Sequence, residues 1–157
     1  MLIKLIGSII LTLSGAGFAI SLCRYQRRKL ITLDGFISLI SYIKGQIDCY
    51  ARPIGDILLS MPPEIFYDCN CPKGAESLEE MIEESKIYLE EEPLRLLRLF
   101  AGEFGSTFRE EQLRRCEHYL SLLIEKRTQL ERMVESRSKT GSALWICGAL
   151  SLTILLW

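Results

Sequence analysis

Apolar residues are unevenly distributed along the 157-residue chain. From Leu5 to Cys23, 19 consecutive residues carry no charge, close to the ~20 that a helix needs to cross hydrocarbon. A second uncharged stretch, Thr140 to Trp157, has 18 residues and would measure about 27 Å as a helix. Between them, apolar positions recur at helical spacing, with no sustained alternation of period two. Leu33, Phe36, Ile37, Ile40, Ile43, Ile47 and Tyr50 mark one face of a first helix. Pro53 suits the first position of a second helix, through Ile54, Ile57 and Leu58, and Pro62-Pro63 stops it. Asp68 to Gly74 (DCNCPKG) reads as an exposed loop. Ser77-Leu78-Glu79-Glu80 is a capping box that opens a helix carrying Leu78, Met81 and Ile82, then Tyr88 and Leu89. Pro93 opens another, with Leu94, Leu97 and Phe100 inward, ending near Gly102–Gly105. Thr107-Phe108-Arg109-Glu110 repeats the capping pattern ahead of the longest helix. There Leu113, Cys116, Leu120, Leu123, Arg127, Leu130, Val134 and Arg137 step by three and four. That is a coiled-coil-like seam with Arg at two positions. It is expected to pack on the first helix of the same domain, a dimeric coiled coil being the alternative.

The pattern predicts an all-α protein: an antiparallel bundle of five or six helices flanked by N- and C-terminal transmembrane helices. The expected divisions are 1–23, 24–139 and 140–157. A cleaved signal peptide competes for the first segment, since Lys4 provides a short positive region and Gly17-Phe18-Ala19 loosely fits a cleavage site. Against cleavage stand Arg24, Arg27, Arg28 and Lys29, which oppose export of the chain downstream of them. Arg132, Arg137 and Lys139 precede the second segment, and Trp145 and Trp157 suit its two lipid–water interfaces. With both basic flanks facing the middle domain, the positive-inside rule places that domain in the cytoplasm.

Charge sharpens this division. The net charge of −1 excludes a globally basic nucleic-acid binder. A mean hydropathy of +0.17 beside 25% charged residues requires segregation. Residues 1–23 and 140–157 contain a single charged side chain, Lys4, out of 39 in the chain. Residues 76–92 hold eight Glu and one Lys, a local charge of −7. Such a run is ordinarily a solvated helix face; the sharper reading is a docking surface for a basic partner. Glu79, Glu80, Glu83 and Glu84 are the candidates, with Arg109, Arg114 and Arg115 at the start of the long helix. The basic cluster at 24–29 would sit against anionic headgroups.

Catalytic constellations are missing. His118 is the sole histidine, so one chain cannot form a two-His metal site, and neither a phosphate-binding loop nor a dinucleotide fingerprint is present. Among six cysteines, Cys23 and Cys147 lie in or beside the apolar ends, and Cys49 and Cys116 on apolar helix faces, as small hydrophobes. Cys69 and Cys71 form a CxC without the second pair that zinc requires, and a cytoplasmic location disfavours structural disulfides. The expectation is a non-enzymatic protein with no cofactor, metal or small-molecule substrate.

Several pieces, in order, carry a resemblance: Met1-Leu2-Ile3-Lys4-Leu5-Ile6-Gly7, the basic exit, Gln46-Ile47-Asp48-Cys49-Tyr50, and Pro53-Ile54 with Ile57-Leu58. Phe104-Gly105-Ser106-Thr107 leading into Glu110-Glu111-Gln112-Leu113, and the final apolar segment, complete the set. Across essentially the whole chain, the sequence resembles the stage III sporulation protein AB family of endospore-forming bacteria. The resemblance implies a cytoplasmic helical domain similar to that of the type II secretion platform protein, the F component. It implies a subunit of the channel complex between mother cell and forespore, on the mother-cell side of the outer forespore membrane. The implied partners are the cytosolic secretion-type ATPase and the other membrane subunits. A membrane-anchored regulator or sensor, whose acidic helix recruits a cytosolic enzyme, is the alternative.

Overall fold

A computed structural model describes the backbone of residues 2–50, 54–71, 75–103 and 108–156, and side chains chiefly within 20–136. All regular structure among them is helical. The α-helices are α1 (Leu2–Tyr50), α2 (Ile54–Leu59), α3 (Pro63–Asp68), α4 (Leu78–Ser85), α5 (Glu91–Glu103) and α6 (Arg109–Leu156), with a 3-10 turn at Lys86–Tyr88 between α4 and α5. The chain divides into two units, Arg28–Leu130 and the ends Met1–Arg27 with Glu131–Trp157.

The helical divisions differ from the expectation at several places: Pro63 opens a further short helix, α3, where only a stop is expected, and α5 begins at Glu91, two residues before Pro93. No break separates the apolar ends from the bundle helices: α1 runs through the basic cluster and α6 runs through Gly141. Neither cluster contains a proline or a turn signal, and a single internal glycine costs a helix only ~1 kcal/mol. The two expected transmembrane segments are helical in backbone, while their side chains lie almost wholly outside the described residues. Among the described residues, no helix is long and apolar enough to cross a membrane.

In the unit Arg28–Leu130, ion pairs fix the helix directions. Asp34, Lys44 and Asp48 of α1 meet Arg127, Glu117 and Arg109 of α6, at 3.0, 2.8 and 3.0 Å. Rising numbers on one helix pair with falling numbers on the other, so α1 and α6 are antiparallel. By the same token Glu92 of α5 pairs with Lys126, and Glu103 with Arg115 at 3.6 Å. Hence α5 also runs against α6. Arg127, which interrupts the apolar seam, is accounted for by Asp34. Along the seam Cys116, Leu123 and Leu130 are buried, and Leu113, Leu120 and Val134 are half-buried.

Periodicity located most of the core. Leu33, Phe36, Ile40, Ile43 and Ile47 are at most 3% exposed, as is Leu97 of α5, with Phe100 beside it. Burying such side chains stabilises the fold by about 1.5–3 kcal/mol each. Leu39 and Tyr119 join the core from outside the predicted set, whereas Tyr50 and Cys49 are exposed at the last turn of α1. Pro63 starts α3 at its first position, where a missing N–H is harmless.

The loop expected to be exposed is not. Cys69 and Cys71 are fully buried. Three features hold the turn in place. On α1, Gly35 lies so close that a Cβ there would stand 2.7 Å from the Asp68 carbonyl carbon and 2.8 Å from the Cys69 nitrogen. Asn70 takes φ 64°, a left-handed conformation Asn tolerates. From α4, the Ser85 hydroxyl is shared between the carbonyls of Cys69 and Met81, and the Cys71 thiol donates to Met81 O at 3.5 Å. Polar residues and Pro made this segment look solvated; the small, weakly polar thiols are what fit between α1 and α4. Residues 72–74 lie outside the described set.

Candidate interaction surface

Helix α4 buries Leu78, Met81, Ile82 and Ser85, and that spacing turns Glu79, Glu80, Glu83 and Glu84 outward, all exposed. The Ser77 side chain accepts from Glu80 N–H at 3.2 Å, half of the expected capping box. The reciprocal half is displaced by one residue, since Glu80 Oε2 accepts from the N–H of Glu76, not Ser77, at 2.8 Å. Glu83 binds Lys86 and, at 3.3 Å, Arg98 of α5; hydrogen bonding from Lys86, then its charge, holds the Glu83 carboxyl below the usual range. Glu84 lies near the Cys71 thiol, which burial first and that carboxylate among the rest push up to about 11, against hydrogen bonding from Ser85. Of the four candidates, Glu79, Glu80 and Glu84 form no ion pair with a described residue. Further along the acidic run, Glu90 pairs with Lys29 at 3.4 Å, and Glu92 with Lys126.

The arginines of α6 are less available than exposure in the sequence suggested. Arg109 donates to Ile47 O at 3.2 Å and to Asp48, closing the last carbonyls of α1. Arg115 is held by Glu111 at 2.8 Å and by Glu103. Arg114 alone of the three forms no ion pair with a described residue, and it lines an open cleft with Glu103, Glu111, Arg115, His118 and Tyr119. Within it Tyr119 donates to Glu103 at 3.2 Å, its hydroxyl raised above the ordinary value by burial and then by that bond. The exposed His118 lies edge-on to the Tyr119 ring. The structure thus brings Arg115 and Arg114 to one cleft, and no described ion pair links the α4 glutamates to Arg109, Arg114 or Arg115.

The basic collar is also divided. Arg24 and Arg27 are exposed and form no ion pair with a described residue. Arg28 turns inward: it donates to Tyr67 O at 3.3 Å and Asn70 Oδ1 at 3.1 Å, and its guanidinium stacks over the Tyr67 and Tyr88 rings. Arg137, Lys139, Trp145 and Trp157 have side chains outside the described residues. Among the described residues no cluster of three His, Cys, Asp or Glu is placed to hold a metal ion.

Comparison with known families decides the relationship. The stage III sporulation protein AB family matches residues 72–157, more than half of the chain. The chain belongs to that family. The match begins directly after Cys71 and spans α4 to α6. All seven candidate partner-binding residues fall inside it, whereas α1, with Gly35 and Arg28, falls outside. Membership makes this a stage III sporulation protein. No curated protein and no solved structure matches the chain.

Arg28 and Gly35 are what reasoning from sequence overlooked. Gly35, alone on an apolar helix face, was the available signal for a close backbone approach. Nothing in the run Arg24–Lys29 distinguished the two cations that turn inward from the two that do not.

Proposed function

We propose that this protein is a non-enzymatic, membrane-anchored assembly subunit of the sporulation channel between mother cell and forespore, a platform for the cytosolic secretion-type ATPase. One observation carries the reading: α1 and α6 each continue unbroken from the bundle core into a terminal uncharged stretch. The uncharged ends are read as two membrane spans, with the bundle in the mother-cell cytoplasm, because the cations cluster on its side of each.

A clean deletion should block forespore development after engulfment, and the protein should co-purify with channel subunits in fixed proportion. Normal sporulation yield in the deletion strain overturns the proposal. Orientation is best tested at Cys49, which is exposed, since Cys69 and Cys71 are buried. A membrane-impermeant maleimide should reach Cys49 only after permeabilisation.

The carboxylates of α4 outside ion pairs support a second reading, a regulator that recruits a cytosolic enzyme through Glu79 and Glu84. Substoichiometric, reversible capture lost in Glu79→Lys/Glu84→Lys would favour it.

A further inference from the structure

Four cations fall within six residues of α1, yet the fold uses only two of them. Arg28 is spent on Tyr67, Tyr88 and Asn70, and Lys29 on Glu90. Arg24 and Arg27 stand three residues apart, on one side of the helix. Both are exposed, and neither makes a hydrogen bond, ion pair or ring contact with a described residue. Ile20, four residues before Arg24, shares that side and is 55% exposed; Leu22 is 50% and Tyr25 39% exposed. An exposed apolar turn, followed by two unpartnered guanidiniums with a tyrosine between them, suits a helix leaving hydrocarbon through the headgroup layer. On α6 the exposed Arg132 has Glu131 and Glu135 close in sequence, while the side chains of Arg137 and Lys139 lie outside the described residues.

We propose that Arg24 and Arg27 form a binding face for the phosphodiester headgroup of anionic phospholipids, while Arg28 and Lys29 fasten the bundle to the same helix. The inference rests on the membrane reading of the uncharged ends. Guanidinium suits the site because its planar fork donates two parallel hydrogen bonds to a phosphate. The two roles are chemically separate: lipid binding depends on free charge and is screened by salt, whereas the Arg28 contacts are short-range hydrogen bonds and ring stacking.

The test uses the full-length chain in phosphatidylcholine nanodiscs with and without phosphatidylglycerol. The measurement is retention of phosphatidylglycerol over phosphatidylcholine by native mass spectrometry at low salt, with the melting temperature beside it. R24Q/R27Q should reduce the preference about 30-fold, which is about 2 kcal/mol at ~1.4 kcal/mol per tenfold, and leave melting in phosphatidylcholine unchanged. R28Q/K29Q should keep the preference and lower the melting temperature. R24K/R27K, with charge retained, should keep most of it. Full preference in R24Q/R27Q, or equal loss in R28Q/K29Q, overturns the division of roles. Displacement of the lipid by millimolar inorganic phosphate would assign the face to free phosphate and overturn the lipid as occupant. Alkaline carbonate extraction separates the two levels. Wild-type protein released by carbonate overturns the membrane reading, whereas resistant protein with unaltered selectivity in R24Q/R27Q overturns this inference alone.

Discussion

Within the 17 residues from Cys69 to Ser85 the chain has two unlike surfaces. The inner one, Cys69, Cys71, Met81 and Ser85, is fully buried and joined by short polar contacts. The outer one, Glu79, Glu80, Glu83 and Glu84, is exposed and bound, where bound at all, by water-accessible contacts. The difference shows where this fold is intolerant. A buried carbonyl that loses its donor has no water to replace it, and a carboxylate at the surface always has. The acidic face can thus be rewritten by selection for a partner while the turn beneath it stays fixed.

The largest effect should come from filling the space at Gly35. Gly35→Val places methyl groups against the Asp68–Cys69 backbone, 2.7 Å from an added Cβ, and should cost about 3 kcal/mol by overpacking, measured by thermal melting of the full chain in detergent. Unchanged melting would show that the turn is free to move. Next, Ser85→Ala removes the hydroxyl shared by Cys69 O and Met81 O and should cost about 2 kcal/mol. A loss no larger than that of a surface serine would erase the contrast between the two faces.

Thr32→Val has the opposite sign. The Thr32 hydroxyl is buried and has no hydrogen-bond partner among the described residues, so the isosteric methyl should stabilise by about 1 kcal/mol. Destabilisation would reveal a partner for that hydroxyl.

Alkaline pH probes two buried thiols, Cys71 of the inner surface and Cys116 of α6. Burial, ahead of the neighbouring charges, raises Cys71 to about 11 from an ordinary 9.0, and Cys116 to about 11 likewise. The folded state holds these protons more tightly than the unfolded state. Their contribution is complete below pH 9 and is lost as pH rises towards 11. Cys71→Ala with Cys116→Ala should flatten that decline relative to wild type; an unchanged slope assigns it to other groups. The smallest effect belongs to the outer face, where Glu83→Gln should leave the melting temperature unchanged within error, despite two ion pairs. A clear loss there would make the acidic surface structural and count against its use in docking.

Much of the bundle could be read in advance because helices bury one face at fixed spacing. Ile40, Ile43, Met81, Ile82, Leu97, Cys116 and Leu123 were all placed inward on that ground and are inward. The turn escaped because Asp, Asn, Pro, Lys and Gly dominate its composition, and turn composition reports backbone conformation, not what covers it. Partner candidates rest on charge and expected exposure. Charge in sequence cannot distinguish Arg109, which closes α1, from Arg114, which forms no such contact, since the difference lies in which carbonyl another helix presents.

What the sequence determined by itself was local and periodic: helices, their apolar faces and the uncharged ends. These arise from spacing along one chain. What only the tertiary structure decided was which polar groups are consumed inside the fold. Arg28 and Arg24 are four residues apart on α1, and the sequence makes them equivalent. The turn after α3, and the Tyr67 and Tyr88 rings, stand beside one of them and not the other. Hydrogen bonds and ring contacts act over a few ångströms, so only the arrival of a distant segment could separate their roles.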